Sequence, residues 1–391
     1  MVQIGKRIRR KVGFVDDGSP KPLYTRFHKN TFQRDLIDLG YYVDAEDSQP
    51  VKPDYHLTQG HYSANELPVP RSEPDALRQD LEEFGYCLVD AALSPEQLSL
   101  FQDRVDAQAA GERAADVGSY TSADVSGVPT NQFLLALVNK GQCFADAVEM
   151  LPRSVSEGEL LEQLTTQMLG QGFICNSAAA AIAGPGGTPQ ALHCGQSMIP
   201  KPWPPWPYEC FVGLFLDEFT AENGGTLVIP RSHRLLTEAG TDPLTDLPPT
   251  ASVCAPAGTA MIMDGRLVHG TGANRSQALR RLVILTFHKP FIRQQEQWGL
   301  TLNKEIYANA SPKLRQRLGF EAWHGGLGGF EGHGEGSVAP LRDDYAAVGE
   351  LTHEGMPIQE VYLHHSKLGA FNQRQLAKMR ETGQLIVKQD D

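Results

Sequence analysis

The chain lacks most of the features that mark the simpler protein classes. None of its six cysteines stands in a CxxC pair, which argues against a disulfide framework or a zinc ribbon. No apolar stretch approaches the roughly 20 residues that span a bilayer, and no secretory hydrophobic region opens the sequence. Positive charge is also short: 35 Lys and Arg stand against 47 Asp and Glu, a formal net charge of −12. Nucleic-acid polymers and anionic membranes demand a basic footprint, so this balance argues against both as partners. One or two arginines could still hold a small anion. The single basic run, KRIRRK over residues 6–11, reads as a solvated tail. No internal repeat is visible. The expectation is a soluble, reduced, cytoplasmic protein whose partner is a small molecule.

What is present suffices for a well-built core, with 391 residues of which 41% are hydrophobic. Residues 1–73 are polar and weakly periodic, an extension expected to wrap on the rest. PDALRQDLEEFG then carries apolar residues at helical spacing and stops at Gly85. YCLVDAAL reads as a strand, and SPEQLSLFQDRVDAQ as a helix with Ser94 at its N-cap and Pro95 in its first turn. Residues 156–170 form another amphipathic helix. Beyond them come short strands broken by Gly, Pro and Asn: GFICNSAAAAIA, QALHCGQ, YECFVGLFLDEF, GGTLVIP, SVCAPAGTAMIMDG and RRLVILTFHKP. Short strands at this spacing, flanked by helices rather than alternating with them, predict a mainly β jelly roll. The expected layout is an extension over 1–73, the jelly-roll domain over 74–345 and a second extension over 346–391.

Four features follow one another within about 90 residues. They are PQALHCGQ; WPPWPYECFVGLFLDEFTAENGGTLVIPRSHR; PAGTAMIMDGRLVHGTGANRS; and the pair Arg280–Arg281. In this order, over roughly residues 75–345, they resemble the phytanoyl-CoA dioxygenase family of iron(II)/2-oxoglutarate oxygenases. The resemblance implies a cupin-like double-stranded β-helix that binds Fe(II), 2-oxoglutarate and O2. It places His193 and His269 as iron ligands, a pair that would normally be completed by one carboxylate. It also points to Arg280 as the anchor of the distal carboxylate of 2-oxoglutarate, with Arg281 on the opposite face of the same strand. Gln190 and Thr226 match positions that hydrogen-bond this co-substrate. Trp203 and Trp206 lie at the mouth where relatives receive substrate, and either line the pocket or cover the core; Lys201 and Arg231 are either contacts for a phosphate or carboxylate on the substrate or exposed charges. His233 belongs to a structural turn, His364 and His365 read as surface residues, and Cys194 should face away from His193 and pack.

One element of the pattern is missing. Relatives read His-x-Asp where this chain reads His193-Cys194-Gly195. Three readings stay open. In the first, Gly195 leaves a coordination position to chloride or bromide, and the substrate radical recombines with halogen, as in the aliphatic halogenases of the superfamily. In the second, the protein is a hydroxylase or other dioxygenase that recruits water, Glu209 or Glu222 as its third ligand, or in which Gly195 is an engineered replacement of Asp. In the third, it is a non-catalytic binding protein that has lost its metal.

Overall fold

The computed structural model describes Tyr62 and residues 66–123, 129–187, 189–190, 192–200, 202–235, 250–323 and 327–328. His364, His365 and Lys201 fall outside the described residues, as does most of the expected N-terminal extension. The chain divides into two compact units, Met1–Glu296 and Gln297–Asp391.

In the first unit, PDALRQDLEEF forms helix α1 (Pro74–Phe84), which buries Leu77, Leu81 and Phe84 along one stripe. Gly85 ends it at φ 83°, donating its N–H to the Leu81 carbonyl. A side chain there would meet the His233 ring at 2.6 Å and the Leu267 side chain at 2.8 Å. Gly85→Ala is therefore expected to destabilise the fold by about 1–3 kcal/mol. The measurement is a lowered denaturant midpoint at unchanged slope. Strand β1 (Tyr86–Val89) follows directly. Helix α2 (Pro95–Ala114) then begins at a capping box in which the Ser94 hydroxyl accepts from Gln97 N and the Gln97 side chain accepts from Ser94 N. The sequence placed this cap; the reciprocal partner at Gln97 comes from the structure.

Between residues 115 and 155 the sequence offers little periodicity, and the structure supplies β2 (Ser119–Ala123), β3 (Pro129–Leu134) and helix α3 (Gln142–Val148). Polar residues hide the strand signal in β3. Asn131 and Gln132 are buried, and Gln132 is satisfied by Arg113 at 2.6 Å and by the Ala109 carbonyl at 3.2 Å. Helix α4 (Gly158–Leu169) falls on the predicted amphipathic segment.

The remaining strands are β4 (Ile174–Ala183), β5 (Glu209–Phe215), β6 (Thr226–Val228), β7 (Ala251–Ser252), β8 (Ala260–Asp264), β9 (His269–Thr271) and β10 (Arg280–His288). They form two antiparallel sheets. The larger has the order β1-β8-β5-β10-β4-β3-β2, the smaller β7-β6-β9. Phe215, Met261, Met263 and Leu282 of the large sheet pack with Val228, Ala251 and Val253 from the small one, so the two face each other across a common core. This is the expected jelly roll. QALHCGQ is not the strand that was expected. Only His193 pairs, through an isolated bridge to His269, and a 3-10 turn begins at Gly195. Gln196 leaves the ladder because its N–H goes to the Gly265 carbonyl at 2.8 Å and its side-chain oxygen accepts from Tyr208 N at 2.7 Å.

In the second unit, short helices α5 (Trp298–Thr301), α6 (Lys304–Asn309) and α7 (Pro312–Arg317) follow one another, the latter two capped by Asn303 and Ser311. Among the described residues, no helix is long and apolar enough to cross a membrane. All six cysteines are free thiols.

Candidate active site

His193 and His269 stand opposite each other in an antiparallel pair, exchanging both backbone hydrogen bonds at 2.9 and 2.8 Å. Directly opposed residues of such a pair project to the same face, and the two imidazole centroids lie 4.4 Å apart. That face is the interior. Val228, the other neighbour of His269, belongs to the core between the sheets, whereas Leu192, Cys194 and Val268 beside the histidines point to a separate cluster behind the small sheet. The His269 Nδ1 is 3.0 Å from the Leu267 carbonyl. Donation from Nδ1 fixes the tautomer and leaves Nε2 as the lone-pair donor, the arrangement usual for a metal-binding histidine. Burial, reinforced by His193 alongside, pushes the His269 imidazole down to about 3 and holds it neutral.

Arg280 opens β10 facing the same interior. Its side chain is buried, its guanidinium sits 4.7 Å from the centre of the Phe219 ring, and Phe219 in turn stacks on Phe215 at 3.7 Å. None of its three side-chain nitrogens meets a hydrogen-bond partner among the described residues. Burial lowers its pKa to about 10, against the opposing pull of Asp217. A buried cation with five unanswered donors is costly unless an anion joins it. Arg281, one residue on, points the other way and is fully engaged. It holds Asp217 through its backbone N–H, Nε and Nη2 at 2.6–3.0 Å, and Asp106 through Nη1 at 2.7 Å. The period of two along the strand thus separates one arginine for a ligand from one for the scaffold.

Thr226 sits opposite Thr271 in the β6–β9 ladder, buried and on the His269 face. Gln190 approaches the same Thr271, its side-chain oxygen 3.4 Å from both the Thr271 N and Oγ1. These two expected co-substrate residues therefore flank one strand end, Thr226 inside and Gln190 exposed.

Two candidates for substrate contact are corrected. Trp203 packs with Leu192, Cys194, Leu227, Ile229 and Val268 behind the small sheet, its indole N–H donating to the Ile199 carbonyl at 2.7 Å. It covers the face opposite to the histidines. Arg231 is paired with Glu83 at 2.5 Å and lies over the Phe84 ring, so its charge serves the contact between α1 and the following turn. Trp206 is exposed. Glu222, one of the two alternative ligands, is also exposed. Cys194 packs behind the small sheet, its thiol against the Arg266 carbonyl. His233 is buried beside Gly85, away from the histidine pair's strand face.

The place beside Gly195 is not empty, which corrects the expectation of an open position there. A Cβ built on Gly195 would land on Oε1 of Glu209 and lie 3.3 Å from its Cδ. Glu209 opens β5 on the same inward face as Phe211, whose ring is 6.2 Å from that of His269. Its other oxygen accepts from Asn176 Nδ2 at 3.2 Å, and no Lys, Arg or His among the described residues pairs with it. Burial pushes this carboxyl up to about 8 despite the Asn176 hydrogen bond. Asn176 had no signal in the sequence, being one polar letter in an apolar strand. Among the described residues, no three His, Cys, Asp or Glu side chains stand close enough together to hold a metal ion as they are.

Residues 81–282 match the family model for phytanoyl-CoA dioxygenase (PhyH), more than half of the chain. The dioxygenase af480 of Aspergillus fumigatus is 34% identical over 159 residues, 40% of this chain and 50% of that protein. The dioxygenase FrzG of a Cladobotryum species is 25% identical over 266 residues, 64% of this chain and 85% of that protein. The chain spans about half the length of the first curated relatives it matches. Among solved structures, the non-heme α-ketoglutarate-dependent carbocyclase SnoK is 15% identical at a TM-score of 0.44, covering 56% of this chain and 87% of its own.

Proposed function

The chain belongs to the phytanoyl-CoA dioxygenase family, and on that premise we propose that it is an iron(II)- and 2-oxoglutarate-dependent oxygenase attacking a C–H bond of a small molecule. The observation that carries this reading is Arg280, a buried guanidinium without a hydrogen-bond partner among the described residues, facing the interior shared with His193 and His269. A dicarboxylate suits it, because the guanidinium fork pairs with a carboxylate in two parallel hydrogen bonds. Two imidazoles on adjacent strands suit ferrous iron. When bound, the iron supplies dioxygen activation coupled to oxidative decarboxylation of the co-substrate. The protein's part is to hold and orient. His269 presents Nε2 because its Nδ1 is committed to Leu267. Arg280 fixes the far end of 2-oxoglutarate against Phe219, and Thr226 offers a hydroxyl from the same face. The apolar core between the sheets keeps water from the reacting centre. The free thiols accord with a reducing compartment, and we place the protein in the cytoplasm on that ground.

The test is formation of succinate from 2-oxoglutarate, dependent on added iron and oxygen. Turnover that persists after chelation of the metal sinks the reading.

A second reading, radical halogenation, rests on Gly195 itself. Against it stands the Glu209 carboxyl group in the place beside the glycine, which would crowd a halide. The products decide: a chlorinated or brominated product by mass spectrometry at saturating halide favours halogenation, and an oxygenated product without halogen favours the first reading. If the protein is a halogenase, Gly195→Asp should suppress halogen incorporation by at least about tenfold, since the new side chain occupies the position an anion needs.

A further inference from the structure

The oddity of the site is a carboxylate lost at one position and a carboxylate found beside it. Residue 195 has no side chain, and the space that its Cβ would fill is taken by the end of Glu209, reaching in from the first residue of β5. The two positions are locked together by backbone. Glu209 and Gly265 are joined by the Gly265 N–H to Glu209 carbonyl bond at 2.9 Å, and the Gly265 carbonyl accepts from Gln196 N at 2.8 Å. Gln196 also fixes Tyr208, the residue before Glu209, at 2.7 Å. A Cβ on Gly265 would press on the Glu209 backbone and Cβ at 2.7–2.8 Å, so the close approach requires glycine at 265 as well as at 195. Two glycines, on two different segments, thus make room for one inward carboxylate.

Among the described residues, neither a lysine nor an arginine pairs with that carboxyl group. Buried carboxylates are ordinarily paired or bound to metals. Asn176 gives it one hydrogen bond at 3.2 Å, long for a charge-assisted contact. Its neighbour on the inward face, Phe211, touches the His269 ring rather than a charged group. The end of the Glu209 side chain lies where the Cβ of a residue at 195, two positions after His193, would stand.

We propose that Glu209 replaces the missing aspartate, so that the metal-binding set of this protein is His193, His269 and a carboxylate supplied from β5. The proposal deepens the iron reading and rests on it. Glu209 completes the set by releasing Asn176 and swinging toward the histidines when the metal enters. Its three side-chain torsions allow this, whereas an aspartate at 195 would have no room while Glu209 stays. The set would then hold two imidazoles and one carboxylate, the donor types that suit ferrous iron.

Cobalt(II) serves as the probe, because its binding and its visible spectrum report ligand number without any turnover. Affinity is measured by calorimetry on the metal-free full chain, and visible spectra are recorded on the same samples. Glu209→Gln keeps the shape and an acceptor for Asn176, so thermal melting should match wild type. It should weaken cobalt binding at least about tenfold, the scale on which metal-site partners act. The double variant Gly195→Asp/Glu209→Ala, which moves the carboxylate back to 195, should recover most of that loss, while Glu209→Ala alone should not. Wild-type affinity in Glu209→Gln overturns the proposal. His193→Ala separates the two levels. If it binds cobalt as wild type does, the iron reading itself fails and takes this one with it; if it loses binding while Glu209→Gln does not, only the role of Glu209 is lost.

Discussion

Replacing either His193 or His269 with alanine should abolish iron-dependent turnover of 2-oxoglutarate. The two segments are joined through the histidines' main chains, by mutual hydrogen bonds at 2.9 and 2.8 Å. The truncations therefore leave the bridge between the segments in place, and the fold should survive. What they remove is one of two imidazoles whose centroids lie 4.4 Å apart on the inward face. Changes in the partners that merely orient a metal ligand cost about 10–100-fold in metal affinity, so loss of a ligand should exceed that. Succinate release measured against iron concentration checks it, with far-ultraviolet circular dichroism as the control for folding. Undiminished succinate release by either variant would rule out that histidine as a ligand.

The second large effect is expected at Arg280. The distal carboxylate of 2-oxoglutarate would meet a buried guanidinium that none of the described residues satisfies. Hydrogen bonds to charged groups contribute about 1.5–3 kcal/mol each. Losing the pair should raise the concentration of 2-oxoglutarate needed for half-maximal turnover by about ten- to a hundredfold or more. Arg280→Lys should recover only part of this, because an ammonium cannot form the planar two-bond contact. Arg281→Ala makes the contrast. It breaks the contacts to Asp217 and Asp106 and so should lower thermal stability while leaving the co-substrate requirement near the wild-type value. The reverse pattern, with Arg281 controlling the requirement, would place the co-substrate on the other face of β10.

Gly85→Ala is a smaller and purely structural effect, and its logic was partly legible beforehand. A glycine after PDALRQDLEEF marks a helix stop in any sequence. The second reason for it, the His233 ring packed against its Cα, exists only because a turn more than 140 residues away folds onto the end of α1.

The same division runs through the whole molecule. Amphipathic spacing, helix caps and punctuated apolar runs are local, and they announced α1, α4, β4, β5 and β10 close to their observed bounds, whereas α2 runs on to Ala114 beyond the stretch read as helix and β8 takes only Ala260–Asp264 of SVCAPAGTAMIMDG. The alternation of side chains along a strand, also local, is enough to assign Arg280 and Arg281 to opposite faces. Where polar residues are buried and answered by distant partners, as Gln132 is by Arg113 and Ala109, the strand signal vanished. The conversion of QALHCGQ from strand to a single bridge and a turn depended on Gly265 and Tyr208, which lie outside the segment. Trp203 could be read as lining a pocket or as covering the core, and only the packing behind the small sheet chose the core.

The sequence by itself therefore determined that a carboxylate is missing at position 195, because that is a fact about one letter. What stands in its place was decided by tertiary structure. Glu209 comes beside Gly195 only after β5 and the turn following His193 are tied together through Gly265 and Gln196. Side-chain spacing along a chain reports which face a residue takes. It carries no information about which residue from another strand will fill the space that a glycine leaves, because that depends on how the sheets close on one another.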